Sequence, residues 1–441
     1  MRLIFALIFA FGSLLFSVIG GVSIAYPLLF SLCVISSALM SNGFSAKALF
    51  KMAIQSSQKV FPVFRILLLI GAITSTWIAA GTVPWIVYYG IQTIHPQGFI
   101  LAAFLLTSLV SFLIGTSFGA ASTMGLALMV MAKSSLVDPH MIAGAVIAGA
   151  YFGDRCSPMS SSAYLIATLT QTDLYTNIKN MTRTGVIPFV VACLIYLVLS
   201  FLHPVQLINQ ELLVQLTQQF DLNPVVLLPA VVILSLAIFQ VPIQRSMLLS
   251  IATAVLLAIT NQGYSIWQVS QFAIFGFQLE ANAPLQSMLA GGGMGSMAKV
   301  CGIVVISTAI AGILAGTDSL QLVQQRLRSV NSRSGIFLST TLIGIATAAF
   351  GCSQTIAILL TEQLVQPQYT TKLSPERLAL DLENTVVVLA PLIPWNIAGL
   401  VPATVLMTDQ NFIPYAVYLY LIPLVFFVQS RLGLFLRISK F

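Results

Sequence analysis

Asp154 stands in the run Gly153-Asp154-Arg155-Cys156-Ser157-Pro158-Met159-Ser160-Ser161-Ser162, between apolar stretches at 141–152 and 163–170. A carboxylate inside a membrane span costs a few kcal/mol, so it needs a partner or a task. Arg155 beside it offers one outcome, a local ion pair. The other is a cation or proton site, because Pro158 breaks the helix and the serines crowd oxygen atoms where a hard cation would want them. On that reading Asp154, Ser157, Ser160 and Ser161 are binding candidates. A second run, Asp381-Leu382-Glu383-Asn384-Thr385, leads into Ala390-Pro391-Leu392-Ile393-Pro394-Trp395-Asn396. It adds Glu383, Asn384, Thr385 and Asn396, with Glu383 placed in apolar sequence as a proton carrier would be. Asp381 lies nearer Arg377 and is either solvated or paired with it. Two shorter runs, Gly115-Thr116-Ser117-Phe118-Gly119 and Gly351-Cys352-Ser353-Gln354-Thr355, make Thr116, Ser117 and Gln354 secondary candidates. Small residues of this kind also serve close helix packing.

Other chemistries find little support. Cys33, Cys156, Cys193, Cys301 and Cys352 fall within apolar runs without a CxxC pair, so buried core thiols are expected and no metal or redox centre. Gly291-Gly292-Gly293-Met294-Gly295-Ser296-Met297 lacks the Lys-Ser/Thr of a phosphate loop and reads as a hinge or membrane turn. His95, His140 and His203 read as turn residues, and Glu280, Asp318 and Glu362 as helix-end or loop charges. No HExxH, GxSxG or similar motif marks an enzyme. No cofactor is expected.

These residues need a scaffold, and composition names its solvent. Charged residues make up 7% of the chain, against about 25% in soluble domains. Long continuous apolar runs exclude a barrel and require helices. The expectation is an all-α polytopic membrane protein with about ten to fourteen transmembrane or half-membrane helices. The net charge of +7 is spread thinly between apolar runs, which suits loop anchors and not nucleic acid. Basic residues cluster at 47–65, 179–183, Arg245, 326–333 and 431–440, whereas 203–223 holds Glu211 and Asp221 and no Lys or Arg. The positive-inside bias then places both termini in the cytoplasm and 203–223 outside. The first helix is expected to be retained, not cleaved.

An internal repeat completes the scaffold. Phe118-Gly119 and Ser157-Pro158-Met159 correspond to Phe350-Gly351 and Ala390-Pro391-Leu392, and Thr172-Asp173 to Thr408-Asp409. Matching broken segments in two halves point to a transporter's binding site. The expected organisation is a half at 1–202, an extracytoplasmic loop at 203–223 and a second half at 224–441.

The two long motifs resemble the NhaC-type sodium/proton antiporter family. Residues 153–160 are similar to its G-D-K-x-S-P-L-S-D-T-T signature. Leu382-Glu383-Asn384-Thr385 with Pro391-Leu392-Ile393-Pro394-Trp395-Asn396 is similar to its L-E-D-S-G-T…S-P-L-V-P-W-N segment. The resemblance covers most of the chain from about residue 63. It implies inverted-topology repeats with broken helices in a cell inner membrane, exchanging Na+ for H+ or, in some members, carrying an amino acid or organic anion. Ser161 and Asn384 stand where the family has aspartates, so two carboxylates are lost from the implied site. Membrane lipid and a small ion or solute are the expected partners, with a homodimer as a further expectation.

Overall fold

The computed structural model describes the chain except residues 1, 21, 59–60, 134, 136, 205–209, 280–284, 286–288, 318–329, 331 and 433–441. Glu280, Asp318 and parts of the 203–223, 326–333 and 431–440 segments therefore lie outside the described residues. The described chain is helical, with one isolated antiparallel bridge between Phe277 and Gly291. In chain order the helices are α1 (Arg2–Ile19), α2 (Ala25–Met40), α3 (Ala46–Gln58), α4 (Phe61–Ala79), α5 (Thr82–Thr93) and α6 (Phe99–Ile114). Then follow α7 (Ser117–Lys133), α8 (Pro139–Cys156), α9 (Ser161–Thr170), α10 (Leu174–Leu202), α11 (Gln210–Gln219), α12 (Leu228–Ile238) and α13 (Ile243–Thr260). The last are α14 (Ile266–Phe275), α15 (Ala298–Ala315), α16 (Arg333–Gly351), α17 (Gln354–Lys372), α18 (Pro375–Leu392), α19 (Ile397–Val405) and α20 (Val417–Arg431).

Among the described residues, 5 helices are long and apolar enough to cross a membrane, or up to 8 if each bent pair is one span. The pair α18 and α19 bends by 52°, and the chain turns 91° between Leu213–Gln219 and Pro224–Ile238. Four shorter apolar helices, α1, α2, α7 and α20, accompany them. This is a polytopic membrane architecture in which half-length helices are tolerated because protein surrounds their ends.

The two broken segments share backbone features, in a register different from the one the motifs suggested. Gly115-Thr116 superposes in conformation on Cys352-Ser353, and Pro158 corresponds to Pro394, not Pro391. Ser160 and Asn396 each cap the helix that follows. Gln171 (φ 54°) and Met407 (φ 52°) are both left-handed. Asp173 and Asp409 each accept a backbone N–H at the start of the next helix. The pairs 158/394, 160/396, 171/407 and 173/409 share one interval. The Phe-Gly pairs do not: Gly119 lies after its break and Gly351 before its own. Carried back along the chain, the same interval sets α4 against α15 and α6 against α16.

The corresponding parts exchange partners. α4 packs on α13 and α14, while α15 packs on α2 and α3. Trp77 of α4 donates to Ser250 of α13 at 2.9 Å, and Gly293 N–H donates to Gly71 O at 2.7 Å. The glycine run therefore makes a tight turn against α4. His140, expected as a plain turn residue, lies between Asp138 (2.7 Å) and Asp409 (3.1 Å) and so ties the start of α8 to the turn after α19. Of the cysteines only Cys156 and Cys352 are buried, while Cys33 faces outward. Glu362 is buried in the middle of α17, not at a helix end.

Candidate ion-binding site

Two helix breaks of the same shape build the site. α6 ends at Gly115, whose φ of 74° is left-handed, and Thr116 is extended before α7 begins. α16 ends at Cys352 with φ 49°, and Ser353 is extended before α17 begins. Gly suits the first position for two reasons. It adopts positive φ without strain, and a Cβ there would collide with Met159. Past Thr116 and Ser353 the first N–H groups of α7 and α17 have no helical partners and carry partial positive charge. Residues 121–125 of α7 widen into a π turn.

A third break delivers the acid. α8 crosses α6 closely enough that any Cβ at Gly153 would strike the backbone of Ser111 and Phe112. The helix then stops at Ser157, and the last turn before that break carries Asp154. The Asp154 carboxylate accepts from Gln354 Nε2 at 3.0 Å, the first residue of α17, and the Ser117 backbone amide of α7 faces it too. One carboxylate thus lies between the starts of two half-helices from different repeats.

It opens on a cavity of about 590 Å³. Thr116, Ser117, Asp154, Ser161, Gln354 and Thr355 contribute to the wall, with apolar groups from Val63, Ile66, Ile243 and Met247. Asp154 is the one charged residue lining it among the described residues. Gln240, in the turn after α12, and Gln244, in the first turn of α13, also line it. Sequence reasoning missed both; the only signal was two amides close together beside an apolar run, with Gln240 left-handed at φ 58°.

Other candidates are occupied elsewhere. Ser157 donates to Phe112 O at 2.6 Å. Ser160 and Ser162 donate to the backbone carbonyl of Asp154, and Ser160 also caps α9. Thr385 donates to Asp381 O at 2.6 Å. Asn396 caps α19 through Ala398 N–H and holds Ala348 O at 2.7 Å. These hydroxyls and amides satisfy backbone groups that broken helices leave open. None of Ser157, Ser160, Thr385 and Asn396 lines the cavity. Asp381 is paired with Arg333 through two 2.5 Å contacts and with Tyr369 at 2.5 Å, and is buried, not solvated.

Arg155 does not pair with Asp154. Its guanidinium turns away and donates to Asn384 Oδ1 at 2.5 Å, Met181 O at 3.1 Å and Thr184 Oγ1 at 3.1 Å. Glu383 is 1% exposed, and neither carboxylate oxygen has a hydrogen-bond partner among the described residues. The acids singled out in sequence therefore occupy separate places: Asp154 on the cavity, Glu383 in a closed polar centre with Arg155 and Asn384.

A membrane-embedded acid between two broken helices is the geometry of a secondary transporter, and comparison with known proteins specifies which. The model of the Na+/H+ antiporter family matches residues 2–164 and 149–434. The chain belongs to the Na+/H+ antiporter family. Both matched segments include residues 153–160. The family member is 30% identical over 373 residues to an uncharacterized Na+/H+ antiporter of Haemophilus influenzae, covering 81% of this chain and 80% of that protein. It is 29% identical over 382 residues to the Na+/H+ antiporter NhaC of Alkalihalophilus pseudofirmus, with 85% and 82% covered. It is 26% identical over 382 residues to the malate-2H+/Na+-lactate antiporter of Bacillus subtilis, with 85% and 81% covered. Asn384 meets Arg155 and lies off the cavity wall, whereas Ser161 lies on it.

Proposed function

We propose that this chain exchanges Na+ for H+ across the cell inner membrane, with both termini in the cytoplasm. Among the described residues, the cavity that holds Asp154 is lined by one negative charge and no positive one, and this observation carries the reading. A hard cation takes oxygen ligands. The Asp154 carboxylate, the Ser161 and Thr116 hydroxyls and the side-chain oxygens of Gln240 or Gln244 can supply them. A proton and a cation compete for the same carboxylate, so binding of one expels the other. Moving Asp154 between two exposures while it holds either occupant, never both, yields antiport. Glu383 does not enter the cavity; it forms a second carboxyl behind Arg155.

The alternative cargo is an amino acid or a small organic anion, as the name of the Bacillus subtilis relative suggests. The volume would admit one. However, the half-helix starts that would hold its carboxylate already hold Asp154, and among the described residues no Lys, Arg or His lines the wall. The test is proton flux in everted vesicles or proteoliposomes on adding Na+, Li+ or K+, beside malate, lactate and amino acids. Proton release from the vesicles on Na+ addition, lost in Asp154→Asn at equal abundance, supports the reading. Flux driven only by an organic anion would sink it.

A further inference from the structure

We infer that a buried polar file along one face of α10 conducts water and protons from the 171–173 turn to the Arg155–Asn384–Glu383 centre, bypassing the Asp154 cavity. It rests on the antiport reading for the use of the protons, but not for the passage of water.

Asn177, Asn180 and Thr184 recur at the three- to four-residue spacing that stacks side chains on one helix face. Asn177 and Asn180 are each 3% exposed. At the outer end Asn177 Nδ2 donates to Thr172 Oγ1 at 2.7 Å, and Thr172 meets Thr170 at 2.8 Å, beside exposed Gln171 and Asp173. At the inner end Thr184 Oγ1 accepts from Arg155, which also donates to Asn384. Gly185 keeps this end open, since the Arg155 guanidinium lies 2.8 Å from where its Cβ would be.

Along the file, polar atoms lack protein partners among the described residues: Asn177 Oδ1, Asn180 Nδ2, Arg155 Nε, Asn384 Nδ2 and both oxygens of Glu383. One such atom costs about 1–3 kcal/mol, and a row of them in a packed interior is the setting that ordered water occupies. Lys179 and Arg183 are exposed on other faces of the same turns, which places this end of α10 at the membrane surface. With 29 residues, α10 is about 43 Å long against a hydrocarbon core of about 30 Å. From Asn177 to Thr184 the file rises about 10 Å along the helix. Proton exchange at Glu383 through this route adds a second proton to the one that competes with the cation at Asp154, and one transport cycle requires both.

Two measurements on the full-length protein in native membranes decide it. Asn180→Cys should react with a small charged methanethiosulfonate at least about tenfold faster than Val186→Cys, a position on the outward face of the same helix. Equal, negligible labelling overturns the file. In proteoliposomes Asn180→Leu should lower Na+-driven proton flux about tenfold while leaving Na+/Na+ exchange, which moves no net proton, within twofold. Labelling without loss of proton flux overturns the proton role, and so does an equal loss of both exchanges. If wild type shows no Na+-driven flux, the antiport reading fails while the labelling result still decides the water route.

Discussion

Asp154 and Asn384 respond differently to substitution because their neighbours differ. Asp154 is held by neutral donors, the Gln354 and Ser162 side chains and the Ser117 amide, so Asp154→Asn removes charge without stranding a partner ion. We expect coupled exchange below a hundredth of wild type, with folded yield and melting temperature nearly unchanged. A variant that unfolds but transports normally per molecule would make Asp154 structural. Restoring the family's acids separates the two places further. Ser161→Asp adds a charged oxygen to the cavity wall and should tighten apparent Na+ affinity by about tenfold, or 1.4 kcal/mol. Asn384→Asp places its charge against Arg155 and should leave that affinity within about twofold; a tenfold change from Asn384→Asp alone, read from Na+-dependent initial rates, would mean the centre and the cavity are one site. Both acids were legible because carboxyls are rare in apolar sequence. Their separation was not, since it depends on where Arg155 turns and on a contact between Gln354 and Asp154, residues distant in the chain.

The helix breaks show how backbone needs, more than ligand needs, account for the conspicuous polar residues. Ser157, Ser160, Thr385 and Asn396 read in sequence as ligands, yet each closes a backbone group at or near an interruption. A hydroxyl near a proline looks the same in sequence whether it binds an ion or a carbonyl, so only the geometry separates them. The repeat was legible through Thr172-Asp173 and Thr408-Asp409. Its register was obscured because the left-handed position is Gly in one copy and Cys in the other. This difference gives an element-level prediction. Gly115→Ala forces a Cβ into positive φ and into Met159, and should cost about 1–3 kcal/mol. Cys352→Gly relieves the corresponding strain, loses a buried thiol and gains unfolded-state entropy, terms that should nearly cancel to within about 1 kcal/mol. Thermal unfolding in detergent compares them; a Gly115→Ala melting temperature equal to wild type would show that the break tolerates a side chain.

At the scale of the molecule, the cavity is walled by helices far apart in the chain. Its wall draws on α4, the starts of α7 and α17, the break after α8, and α13. Because α4 packs on α13 while α15 packs on α2 and α3, neither repeat can close its side of the cavity alone. A cation bound there bridges elements from both repeats and stabilises the folded state by linkage. At a Na+ concentration one hundred times the dissociation constant the gain is about 2.7 kcal/mol. Protons that occupy Asp154 remove the site, so acid should oppose the Na+ effect. The expected pattern in detergent is a melting temperature that rises with NaCl at alkaline pH and rises less as the pH falls. Choline chloride at equal ionic strength should have little effect, because the exposed charges it screens contribute little. Asp154→Asn should melt independently of Na+ at every pH. If NaCl and choline chloride stabilise the wild type equally, the cavity does not bind Na+. If Na+ shifts the mutant as much as the wild type, the cation binds away from Asp154, and competition between ion and proton for that carboxylate is not the basis of exchange.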